Sequence, residues 1–253
     1  MSLKLAVYSD FHFELTRFPW TPILSDDVDV LVVAGDVYEG DIARGIAWTA
    51  KAAGGRPSVF VPGNHEMWGR TLEDEIERGR ETAAALGVTM LDSEGWIDVA
   101  GCLFCGGTLW TDLSLNVPAG QRVYGRHLGE QIDVRGAGID RRAKPADAVR
   151  WHRRTASAIE RALAEPRDGR PRVVVTHHAP SALSLRAAFR NDPRGPSPRR
   201  PSTTFSRRAR TSGSTATCTI RSTSCARAAP ASCATRSATT APIPASTMRR
   251  SLN

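Results

Sequence analysis

The chain has 253 residues, 41% hydrophobic and 24% charged, with a formal charge of +8. That is length enough for one domain or two with a sizeable core. No apolar run can cross a bilayer, no basic stretch and apolar block open the chain, and five cysteines lack regular spacing. These features speak against a membrane protein, a secreted precursor and a disulfide scaffold, and make the cytoplasm the expected location. The charge is unevenly spread. After Asp192 there is no Asp, Glu, Lys or His, and residues 193–253 carry eleven arginines. Residues 1–192 thus hold 23 basic groups against 26 acidic ones, a formal charge of −3. Any argument from charge to nucleic acid concerns the tail alone.

In chain order, residues 3–8 read as a short buried strand. Residues 28–34 (VDVLVVA) have the β-branched run of a strand covered on both faces. A helix over 42–53 stops at Gly54-Gly55, and 58–61 form a third strand. Residues 71–86 predict a helix, with Thr71 as cap, Asp74 closing a capping box and Gly87 ending it. Short strands follow at 88–91, 96–99 and 103–105. Residues 107–140 are Gly-rich and irregular, the composition of a long loop or lid. A helix over 145–163 carries an apolar stripe through Ala148, Trp151, Ala158, Ile159 and Leu163, and 172–176 (RVVVT) form another buried strand. Strands and helices alternate first and strands are added later, which is an α/β class with mixed sheets. The tail has neither period and almost no Leu, Ile or Val, so disorder is expected over 193–253.

Four polar clusters follow predicted strands: Ser9-Asp10-Phe11-His12, Gly35-Asp36, Gly63-Asn64-His65-Glu66 and His177-His178. In an open α/β sheet, ligands bind beyond the carboxyl ends of strands, so the four can converge. Carboxylates, imidazoles and an amide carbonyl without a thiolate suit divalent Mn, Fe, Zn or Ni. Each cluster alone has a plainer reading. Asp10-x-His12 can be an ordinary loop, Asp36 can cap the next helix, Asn64 can belong to a turn, and a histidine pair can simply pack. The order and placement of all four are what is specific.

The series D-x-H, G-D, G-N-H-E and H-H resembles that of the calcineurin-like metallophosphoesterases over about residues 3–192; Gly107–Asp112 (GTLWTD) is also similar to a stretch in bacterial members. The resemblance implies a two-sheet αββα sandwich and a phosphoester hydrolase holding two divalent metal ions. Asp10 and His12 would hold one ion, Asp36 would bridge both, and Asn64 and His177 would hold the second. His65 would be the general acid or transition-state donor, and Glu66 would orient its neighbours. His177, directly after the strand, is favoured over His178. Two cations about 3.5–4 Å apart clamp phosphoryl oxygens and yield a bridging hydroxide that attacks phosphorus in line. A phosphate ester, small and soluble, is the expected substrate. The motif does not choose between monoester and diester.

The family's last motif, G-H-x-H, has no counterpart, because no histidine follows His178. Each metal would lose a ligand, and the C-terminal strands would be missing. Back-translating residues 211–223 with G/C-rich third bases and reading one base out of frame permits D-L-W-I-H-G-H-V-H-D-P-V-D. The expectation is a frameshift near 194–196 and impaired activity. Competing readings are an inactive metal-binding relic and, less favoured, a nucleic-acid binder acting through the tail. The tryptophans, and Cys102 with Cys105 on opposite faces of one strand, read as packing. Arg122, Tyr124, Arg126 and His127 read as a solvated lid, and His152 as surface.

Overall fold

The computed structural model describes residues 3–16, 18–93, 95–113, 131–166 and 168–180, and two tail strands, 217–221 and 231–232. One sheet has the order β12-β1-β2-β3-β5: β1 Lys4–Tyr8, β2 Val30–Val33, β3 Ser58–Phe60, β5 Thr89–Met90 and β12 Ala231–Ser232. The second has the order β11-β10-β7-β6: β6 Ile97–Val99, β7 Cys102–Gly107, β10 Arg172–Thr176 and β11 Thr217–Arg221. A small third sheet joins β4 Arg70–Thr71, β8 Ile132–Val134 and β9 Arg141–Arg142. Helices α1 Ile42–Ala53 and α2 Leu72–Leu86 cover the first sheet, and α3 Pro145–Ala164 covers the second.

Strand alternation builds the layers. Leu5, Val30, Val32, Val59 and Val61 face inward and meet Cys102, Phe104, Val173 and Val175 of the second sheet in one apolar cluster. The intervening Ala6, Leu31, Val33 and Phe60 face outward and pack against Ile42 and Ile46 of α1. Cys105 and Val174 point the other way, to Ile159 and Ala162 of α3. Both faces of each sheet are thus buried, which is why β2 and β10 read as continuous hydrophobic runs. The result is an αββα sandwich.

Several elements differ from the sequence reading. The Thr71 hydroxyl does not cap α2; it donates to Asp140 Oδ2 at 2.8 Å, because Thr71 is already paired in β4. Helix α1 is capped by Asp41, whose carboxylate accepts the Arg44 N–H at 3.1 Å, so Asp36 is not spent on capping. The predicted irregular stretch contains β8; two- and three-residue strands are too short to show a period of their own. The loop residues Arg122, Tyr124, Arg126 and His127 lie outside the described residues. His152 is half-buried, its Nδ1 donating to the Leu109 carbonyl at 3.0 Å.

The tail was expected to lack regular structure. Two pieces of it form strands, β11 parallel to β10 and β12 antiparallel to β1. An open sheet edge pairs with passing backbone whatever its side-chain pattern. The rest of the tail lies outside the described residues. Among the described residues no helix is long and apolar enough to cross a membrane.

Candidate metal centre

All four clusters lie at the carboxyl edge of the central strands. Parallel pairing continues past the strand ends: Asp10 N–H donates to Gly35 O at 2.9 Å and His12 N–H to Asp36 O at 3.0 Å. Asp10, His12 and Asp36 have φ of 55°, 47° and 57°, left-handed backbone that costs of order 1–3 kcal/mol each outside glycine. The cross-loop hydrogen bonds hold it there. Gly35 and Gly63 allow two loops to cross at contact. A Cβ on Gly63 would lie 2.1 Å from Asp36 Oδ1, and one on Gly35 would lie 2.3 Å from Gly63 N. The second sheet is tied in by Thr108, whose hydroxyl donates to Pro62 O at 2.8 Å.

Asp36 is the hub and is 4% exposed. Its Oδ1 accepts the His65 backbone N–H at 3.0 Å. Its Oδ2 lies 3.4 Å from His177 Nε2, 3.6 Å from His12 Nε2 and 4.0 Å from His65 Nε2. Asp10, Asp36 and His177 each bring a ligand atom within 4.8 Å of the others, and His12, Glu14 and His65 form a second such group. His177 Nδ1 donates to Ala34 O at 2.7 Å, which turns Nε2 toward Asn64 Oδ1 at 3.1 Å and toward Asp36. Carboxylate, carbonyl and imidazole atoms therefore converge, a donor set that fits a divalent cation of the Mn–Zn series. His178 turns away: its Nδ1 donates to Thr108 O at 3.1 Å.

Glu66 is fully buried and joins the two crossing loops. Its Oε2 accepts the N–H groups of Asp36 at 3.0 Å and Gly63 at 2.8 Å. Its Oε1 accepts those of Val37 at 2.6 Å and Tyr38 at 3.4 Å. It supports the loop that carries Asp36 and lies outside both ligand groups. His65 stacks on Trp68 with ring centroids 3.6 Å apart. The sequence analysis gives no site role to Glu14 or Thr108, and it reads Trp68 as packing, which its stacking on His65 is. Only Glu14 left a signal, in its two-residue spacing after Asp10-x-His12.

Burial works to raise the Asp36 carboxyl, but the His177 charge and hydrogen bond overcome it and hold Asp36 well below the carboxylate range. Burial works to lower His177, and the Asp36 charge and hydrogen bond push it up to about 10. Burial, with the His177 charge behind it, takes His178 down to about 3, so it stays neutral. Burial and the Asp36 charge raise Glu66 to about 7 against the pull of the Val37 and Asp36 N–H groups.

The signs fix a pH dependence. His177 is raised, so its share of metal-free stability is complete below its ordinary value and lost as pH climbs through about 10. Asp36 is depressed, so its share is lost only in acid. Between those limits a proton occupies His177 Nε2, and a cation must displace it. Mn²⁺ affinity should therefore rise about tenfold per pH unit from about pH 7 to 9, with one proton released per ion at this position. Calorimetric titration in buffers of different ionisation heat reads that proton; a pH-independent affinity would refute the assignment.

The sequence profile of the calcineurin-like phosphoesterases matches residues 3–206. Among solved structures, the chain is similar to the phosphopantetheinyl hydrolase from Mycobacterium tuberculosis, at 20% identity and a TM-score of 0.53. That match covers 76% of this chain and 74% of the other, and at this identity it speaks to the fold. No curated protein matches the chain.

Proposed function

The chain belongs to the calcineurin-like phosphoesterase family, and from that premise we propose that this site hydrolyses small, soluble phosphate esters with two divalent cations. The observation that carries the reading is the convergence of Asp10, Asp36, Asn64 and His177, with His12 Nε2 3.6 Å from the same Asp36 oxygen that His177 approaches. In this reading Asp10 and His12 would hold one ion, Asn64 and His177 the other, and Asp36, the neighbour of both histidines, would serve both. When bound, such ions screen the phosphoryl charge and bring the pKa of a water near neutrality. Asp36 presents Oδ2 to the imidazoles of His12, His65 and His177, and Glu66 holds the Asp36 backbone through its N–H. His65 is the donor to the leaving oxygen, held flat by Trp68. Its ring is kept below its ordinary pKa by burial, with the Asp36 charge opposing and the His12 charge reinforcing the shift. It is thus neutral at pH 7 and gives a hydrogen bond through one N–H.

The chain has no histidine after His178 and so no G-H-x-H. We read the tail as the product of a shifted reading frame, and activity as reduced by two missing imidazoles. The test uses the full chain, stripped of metal, on bis(4-nitrophenyl) phosphate and 4-nitrophenyl phosphate. Turnover should appear with Mn²⁺ and vanish with chelator. A chain with no metal-dependent turnover and no thermal shift on adding Mn²⁺ would be a relic, and the reading would fail.

A further inference from the structure

Glu14 lies two residues beyond His12, in the 3₁₀ turn Phe13–Leu15. The turn is anchored by Phe13, which is buried with its ring 5.2 Å from Tyr38 and 5.5 Å from Trp48. Glu14 Oε1 stands 2.9 Å from His12 Nδ1 and 3.6 Å from His65 Nδ1. On the far side, Asp36 Oδ2 faces the Nε2 atoms of the same two rings. The rings meet edge to face at 4.4 Å. Two imidazoles thus stand between the carboxylates of Asp36 and Glu14.

A neutral imidazole carries one N–H, and an ionised carboxylate only accepts. The proton of His12 therefore belongs on Nδ1, toward Glu14, and the Nε2 lone pair faces Asp36. Free histidine favours the opposite tautomer, which would aim an N–H into the cluster. His65 Nδ1 is buried and makes no hydrogen bond among the described residues.

We propose that Glu14 is a positioning residue: it sets the tautomer and orientation of His12. The inference rests on His12 as a ligand, and so deepens the reading above. Carboxylates behind ligating histidines typically matter by 10–100-fold in metal affinity.

The test is long-range ¹H–¹⁵N NMR of the ring nitrogens in the metal-free full chain. In wild type, His12 should show protonated Nδ1 and bare Nε2. Glu14→Ala should move it toward protonated Nε2, and Mn²⁺ affinity should fall about 10–100-fold with the number of bound ions unchanged. Glu14→Gln, whose carbonyl still accepts from Nδ1, should restore the tautomer. Glu14 is exposed, so these variants should fold. Unchanged ring-nitrogen shifts in Glu14→Ala would overturn the proposal. So would the loss of one bound ion, which would make Glu14 a ligand itself. The NMR readout needs neither metal nor turnover, so it stands apart from whether the chain hydrolyses phosphate esters.

Discussion

Replacing Asp36 with alanine should abolish metal-dependent phosphoester hydrolysis and weaken cation binding by more than about 10²-fold, since residues merely behind a ligand already cost 10–100-fold. Asp36 is the shared neighbour of His12, His65 and His177. The same substitution removes the charge that holds His177 protonated. Burial then prevails, and the His177 ring should titrate well below its wild-type value of about 10, which ¹⁵N NMR can follow. Asp36→Asn separates charge from shape. Its carbonyl can still accept the His65 N–H, so the loop should keep its form while metal affinity is lost. A variant at Asp36 that kept wild-type Mn²⁺ affinity would end the dinuclear reading.

The sequence shows the strands and the α/β class because the strands are buried on both faces, while the two-sheet sandwich is what the resemblance to the family implies. RVVVT and the β-branched run before Ala34 can hardly be anything else, and α1 ends where Gly54 permits a left-handed cap. The candidate site was legible in the same way. Its residues follow strands directly, and parallel strands bring their carboxyl ends to one edge. Glu14 and Trp68 were hidden because their approach to the imidazoles depends on local turns. One is the left-handed bend at His12, the other the 3₁₀ turn His65–Met67, and neither leaves a period in sequence. Thr108 was hidden for a different reason. Its contact with Pro62 crosses between sheets, and sequence spacing is silent on which loops touch. The tail strands escaped because edge pairing uses main-chain groups, which every residue carries.

Glu66→Ala should show the largest effect on stability. It would strand the N–H groups of Asp36, Val37, Tyr38 and Gly63 in a buried crossing of two loops. Each orphaned buried donor costs about 1–3 kcal/mol. Even if water satisfies some of them, the loss is several kcal/mol, against about 5–15 kcal/mol for a whole domain. A fall of about 10 °C or more in Tm is expected, read by thermal melts of the metal-free protein. Glu66→Gln keeps the volume and one accepting oxygen but turns an amide NH₂ toward two donors, so it should lie between alanine and wild type. Glu66→Asp is one methylene short of spanning both loops and should fall nearer alanine. The pattern across the two acids is the discriminating result. At Glu66, stability and metal affinity should fall together, because the residue shapes the loop that presents Asp36. At Asp36→Asn, metal affinity should fall while the melt changes far less. If Glu66→Ala melted like wild type, the loop would be holding itself, and the buried carboxylate would have to be reconsidered as a ligand.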